Sequence, residues 1–291
     1  MSRHVHSHRV MQLALAGVVL WPCSLGVAQD VLESPPASTN SSTCVSAEVS
    51  AKPTRPNVTY STDTTQCGVV EADYGWTAQW PVAGTRQNFF SSSIRIGITS
   101  RMDFRWGDDN FVDLRNVSGT AQGTGDNWFG FRYRFHEQTK DLPSLAFSYN
   151  VKLPTASPAR NLGTGYVDHA FTFLAGKDLQ KYHFDFNWVQ TLAGSPSGFQ
   201  NITLASLACW RPVTKRLSVV GESHGGTEPG QSSYAAVLAG AAYAVTPRLV
   251  IDSAYEEPVA GAASGKRLLI GATYAVGDVY AWFRSHVAAQ Q

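Results

Sequence analysis

Between Lys181 and Leu192 the chain alternates with a period of two. Tyr182, Phe184, Phe186, Trp188 and Leu192 fall on one face, and Lys181, His183, Asp185, Asn187 and Thr191 on the other. A helix would scatter these residues around its axis, whereas a strand sends successive side chains to opposite faces. The apolar face is mostly Tyr, Phe and Trp, and the segment has about the 9–11 residues that a tilted strand needs to cross a bilayer. One such strand cannot satisfy its backbone in lipid, so the reading holds only if the pattern recurs and closes.

It recurs about twelve times. Taking the apolar face first, Val70, Ala72, Tyr74, Trp76, Ala78 and Trp80 oppose Glu71, Asp73, Thr77 and Gln79. Ile94, Ile96 and Ile98 oppose Ser93, Arg95 and Thr99; Met102, Phe104 and Trp106 oppose Arg101, Asp103 and Arg105. Phe129, Phe131, Tyr133 and Phe135 oppose Trp128, Arg132 and Arg134, and Leu145, Phe147, Tyr149, Val151 and Leu153 oppose Ser144, Ser148, Asn150 and Lys152. Phe171 and Phe173 oppose Asp168 and Thr172, with His169 as a misfit on the apolar side. Ile202, Leu204, Ala208 and Trp210 are set against Thr203, Cys209 and Arg211, and Leu217 and Val219 against Glu222. Residues 234–245 are apolar on both faces. Leu249, Ile251 and Tyr255 oppose Asp252 and Glu256; Leu268, Ile270, Ala272 and Tyr274 oppose Arg267 and Thr273. The faces assigned to lipid carry no Lys, Arg, Asp or Glu, as they must when one such charge at mid-bilayer costs about 2–4 kcal/mol. The expectation is an all-β chain, an antiparallel up-and-down transmembrane β-barrel of about 12 strands.

Short turns near residues 99–100, 137–141, 176–180, 212–215 and 246–247 alternate with longer polar stretches at 81–88, 108–123, 155–163, 193–199, 224–232 and 257–265. That asymmetry is the one outer-membrane barrels show. Residues 1–28 read as a cleaved export signal, with Arg3 and Arg9 ahead of an apolar stretch that ends in Gly26, Val27 and Ala28. Cys23 raises a lipoprotein alternative, against which Leu20, Trp21 and Pro22 are bulky or rigid where small residues are wanted. The whole places the protein in the outer membrane of a Gram-negative bacterium, with membrane lipids and a small-molecule solute as partners. Residues 29–67, rich in Ser, Thr and Pro, read as a disordered periplasmic arm, a tether with a plug as the alternative. The barrel spans 68–276, and 277–291 form a tail. Cys44 and Cys67 can pair in an oxidising compartment and leave Cys209 free, and the odd count equally allows no bridge.

A formal net charge of +1 gives no footprint for nucleic acid. No CxxC, HExxH or clustered His/Cys/Asp set suggests a metal or other cofactor. The inward-facing charges expected to line a channel are Arg95, Arg101, Asp103, Arg105, Arg132, Arg134 and Lys152, mostly basic, and Glu71, Asp73, Asp185, Glu222, Asp252 and Glu256, all acidic. They either create a transverse field across a pore or pair into a network that seals it. An enzyme is not expected: Ser223 and His224 are neighbours on a strand and point to opposite faces, which defeats proton sharing. A structural or adhesion barrel is the other alternative.

Several short motifs resemble the MetA-pathway of phenol degradation family. They are Arg95-Ile96-Gly97, Asp103-Phe104-Arg105, Gly123-Thr124-Gly125-Asp126, Leu153-Pro154-Thr155 and Gly163-Thr164-Gly165, in that order. The resemblance covers about residues 68–276 and departs at Ala156, where the family usually has Gly, and in the long arm. It implies an outer-membrane barrel of transporter type, passing small molecules, aromatic or hydrophobic ones among them.

Overall fold

The structure is a computed structural model describing Cys44 and residues 48–81, 86–116, 119–261 and 265–288. The export segment 1–28 and the arm before residue 48, Cys44 apart, lie outside the described residues.

Thirteen strands form among the described residues: β1 (Val69–Trp80), β2 (Gln87–Thr99), β3 (Met102–Asn116), β4 (Gly119–Gly123), β5 (Asn127–His136), β6 (Ser144–Leu153), β7 (Asp168–Leu179), β8 (Tyr182–Ser195), β9 (Gly198–Pro212), β10 (Leu217–Thr227), β11 (Tyr234–Thr246), β12 (Leu249–Gly261) and β13 (Lys266–Asp278). Each pairs antiparallel with its neighbour, and β1 pairs with both β2 and β13, which closes the sheet. β4 pairs only with β3, outside the ring, while β3 continues the ring to β5. The molecule is therefore a closed antiparallel barrel of 12 strands. Closure gives every spanning strand two partners, the condition for a backbone in hydrocarbon.

The alternation fixes the faces as expected along most of the wall. On the opening strand, now β8, Phe186 and Trp188 are exposed outward while Asp185 and Asn187 are buried inward. Trp106 and Phe129 stack across β3 and β5, and Phe131, Phe147, Tyr149 and Phe171 continue a girdle of outer rings with centroids 5.2–6.5 Å apart. His169 belongs to this girdle: its Nδ1 lies 2.8 Å from the Tyr149 hydroxyl, and its ring packs on Phe199.

Strand β9 reverses the expected assignment. Ala208 is buried inward with Val220, Leu238, Ala254 and Leu269, and Trp210 packs against them, whereas Leu207 is 42% exposed on the outside. Here the inner wall is itself apolar, so polarity gives no contrast between faces. Arg211 is correspondingly outward, at the strand end, its guanidinium 5.5 Å from the Tyr182 ring.

The connections also differ. β8 and β9 continue to Ser195 and Gly198, so the expected loop at 193–199 is a two-residue turn. The stretch 108–123 is the end of β3 and the whole of β4, and β7 runs through 176–179 to Leu179. Both ends of the barrel chain, Gly68 and Asp278, lie at the short-turn end. The expected tail is in part a helix, α1 (Val279–Ala288), which begins where β13 stops. No described helix is long and apolar enough to cross a membrane, a statement that has no bearing on strands.

Candidate functional site: the occupied lumen

The interior is not filled by side chains alone. Residues 52–66 pass around the inner wall, held by side chains projecting inward from strand after strand. The expectation of a mobile tether does not describe this part of the arm, because the wall bonds the backbone of Lys52, Val58, Thr59, Tyr60, Ser61, Asp63 and Thr65.

Taken along the chain, the Lys52 N–H donates to Glu71 Oε1 at 2.8 Å, and its carbonyl accepts from Arg95 Nη2 at 2.9 Å. Arg55 crosses to the β12–β13 wall, its Nε 3.6 Å from Asp252 Oδ1. It passes directly over Gly75 and Gly271, where any Cβ would collide with the guanidinium. Glu222 accepts the N–H groups of Val58 (3.0 Å) and Thr59 (2.9 Å). Asn187 bonds both backbone groups of Tyr60, accepting its N–H at 2.7 Å and donating to its carbonyl at 2.8 Å. Arg132 donates to the carbonyls of Ser61 and Asp63, at 2.5 and 2.8 Å, and Asp103 accepts the Thr65 N–H at 2.9 Å. The Tyr60 ring faces the guanidinium groups of Arg105 and Arg132, 5.9 and 5.5 Å away. The path returns to β1 at Cys67, which is disulfide-bonded to Cys44; Cys209 is free. Of the two sequence alternatives, the bridge is the one that forms.

The charges are not arranged as two opposed walls. Arg95 sits between Glu71 and Asp73, 2.9 Å from each, and Arg105 pairs with Asp103 on its own strand at 2.7 Å. Asp73 also accepts from Ser93 and Thr273. Such neutralisation suits a low-dielectric wall, in which an unpaired charge is costly. Glu256 is paired with Arg267 and lies 3.7 Å from His224 Nε2, while Glu222 lies 3.0 Å from His224 Nδ1. Asp185 is 3.0 Å from His183, which also meets Asp178 at 2.7 Å. Lys152 is at the long-loop end between Asp126 (3.3 Å) and Asp168 (2.7 Å). Arg134 reaches the arm through Asp63 at 2.9 Å. Arg101 is placed differently from the rest: it is exposed at the β2–β3 turn, 3.5 Å from Glu137, because the strand has already ended there.

Several contributors were not singled out from sequence. Asn187 was legible as inward-facing, but nothing local marks it as a backbone clamp. His224 is inward and buried while Ser223 is on the outside, and both His224 ring nitrogens face carboxylates. Ser206, the cross-strand partner of His224, is buried with no hydrogen-bond partner among the described residues, yet no ring nitrogen is left to activate it. No group of three or more metal-ligating side chains is assembled among the described residues.

No protein-family model matches the chain, and no curated protein matches it in sequence. Solved structures do match. A COG4313 outer membrane channel from Pseudomonas putida F1 aligns over 74% of this chain and 97% of its own, with a TM-score of 0.58 and 13% identity. The NanC porin aligns over 70% and 98%, with a TM-score of 0.50 and 8% identity. At such identities the likeness is one of fold: an outer-membrane-type β-barrel.

Proposed function

We propose that the protein is an outer-membrane channel for the passive passage of small molecules, with residues 52–66 acting as an internal plug. The observation that carries this reading is the kind of filling the barrel has. A barrel serving only as a structural body can close its interior with interlocked side chains. Here a cross-section of the lumen is occupied by a separate stretch of chain, held by hydrogen bonds and ion pairs that water or a solute can replace. The similarity to an outer membrane channel and a porin supports the same reading, as does the resemblance of the short motifs to the phenol-degradation family. Those motifs extend it to aromatic solutes, which would travel along the apolar strip of Ala208, Val220, Leu238, Ala254 and Leu269 beside Trp210. The short-turn end, which carries both ends of the barrel chain, would face the periplasm.

Planar-bilayer recordings test the proposal. The intact protein is expected to give rare, small conductance steps, and a variant lacking residues 48–66 frequent and larger ones. A variant that inserts as a folded barrel yet remains silent would move the assignment to a structural or adhesion barrel.

A further inference from the structure

We infer that the polar wall of the lumen is a binding surface for peptide backbone, so that short peptides are a solute class this channel selects. The inference rests on the channel reading above and adds to it the chemistry of the ligand.

The wall contacts to residues 52–65 go largely to main chain. Glu71, Asp103 and Glu222 take N–H groups, Arg95 and Arg132 give to carbonyls, and Asn187 does both to one residue. The two-bond Asn187 contact is an amide paired with an amide, a match that a hydroxyl or an aromatic ring cannot reproduce. These bonds do not depend on the side chains of the arm, so another short peptide can offer the same amide groups to the wall. Each wall residue involved is also nearly completely buried, which leaves a mismatched occupant with unpaired polar groups to desolvate.

A second observation points the same way. Arg132 is fully buried, and its Nε and Nη2 have no hydrogen-bond partner among the described residues. Asn150 Oδ1 and Ser206 Oγ, both inward-facing, are likewise without one. The wall thus holds donors and an acceptor beyond those the arm uses, and a peptide can take them up in exchanging with it. Discrimination comes from the buried polar groups: a solute that satisfies them gains over one that leaves them unpaired.

The experiment is liposome swelling with the full-length protein, using N-acetyl-trialanine amide and a neutral disaccharide as probes. Each rate is read as a peptide-to-sugar ratio, which cancels differences in the number of open channels. The wild type is expected to favour the peptide, and Asn187→Leu to lower the ratio about tenfold, the effect of two lost hydrogen bonds. Asn187→Ser serves if the leucine variant does not fold, as judged by heat-modifiable migration, and is expected to lower the ratio in the same direction. Equal ratios in wild type and variant, with sugar entering both, would overturn the peptide inference and leave the channel standing. The same ratios are read in the background lacking residues 48–66, with and without the Asn187 substitution, and entry of neither probe there would overturn both.

Discussion

At the scale of single residues, the two faces of β8 carry opposite obligations. Phe186 is 38% exposed on the outer face, and an arginine there would meet hydrocarbon at a cost of about 2–4 kcal/mol. Phe186→Arg is expected to prevent assembly, seen as loss of the heat-modifiable folded band. Its neighbour Asp185 faces inward beside His183, close to Gly176 and Thr62 of the arm. Asp185→Arg is expected to assemble normally but to displace the arm, because the longer side chain needs the space that Thr62 occupies. Chymotrypsin reports this, since the Tyr60–Ser61 bond, clamped by Asn187 and Arg132 in the docked arm, becomes cleavable once the arm is out. Equal assembly of both variants would show that the faces are misassigned.

Among the elements, the arm depends on two features of its surroundings. The first is the Cys44–Cys67 disulfide, which closes a loop with a sequence separation of 23. Loop-closure entropy for such a length stabilises the docked arm by about 3 kcal/mol. Reduction of the intact protein is therefore expected to raise chymotrypsin cleavage after Tyr60 by roughly a hundredfold if cleavage follows the undocked population, without changing the melting of the barrel. The second is the pair of notches at Gly75 and Gly271, which admit Arg55 toward Asp252. Gly75→Val fills one notch and suits a strand, so the barrel should form while the arm beyond Arg55 becomes accessible to chymotrypsin at Tyr60. Cleavage indistinguishable from wild type would mean that the arm tolerates a side chain on its path.

For the whole molecule, charge pairing decides which residue would govern ion selectivity. Arg95 and Arg105 are neutralised by adjacent carboxylates, so reversing either mainly breaks an ion pair. Arg132 makes no ion pair among the contacts described and gives its hydrogen bonds to the arm. In a variant lacking residues 48–66, Arg132 loses its carbonyl acceptors and faces the pore as a cation with no ion-pair partner among the described residues. Arg132→Glu in that background is expected to shift the reversal potential under a salt gradient toward cation selectivity. An unchanged reversal potential would place the selective constriction elsewhere.

The sequence by itself determined the barrel and most of its faces. A period of two cannot be met by a helix, and aromatic faces without charge have one stable environment when they recur around a closed sheet. It also placed Glu71, Arg95, Asp103, Arg105, Arg132, Glu222, Asp252 and Glu256 inside, because lipid does not admit them. Where both faces are apolar, as at Leu207 and Ala208, alternation carries no information, and register across the sheet settled the orientation of β9. The fate of the arm was decided only by tertiary structure. Its composition, poor in apolar residues, says that it cannot build a core of its own, which is true. Residues 52–66 are nevertheless held because closed strands distant in sequence bring Asn187, Glu222, Arg132 and Asp103 within reach of their backbone, and a peptide group looks the same in every sequence.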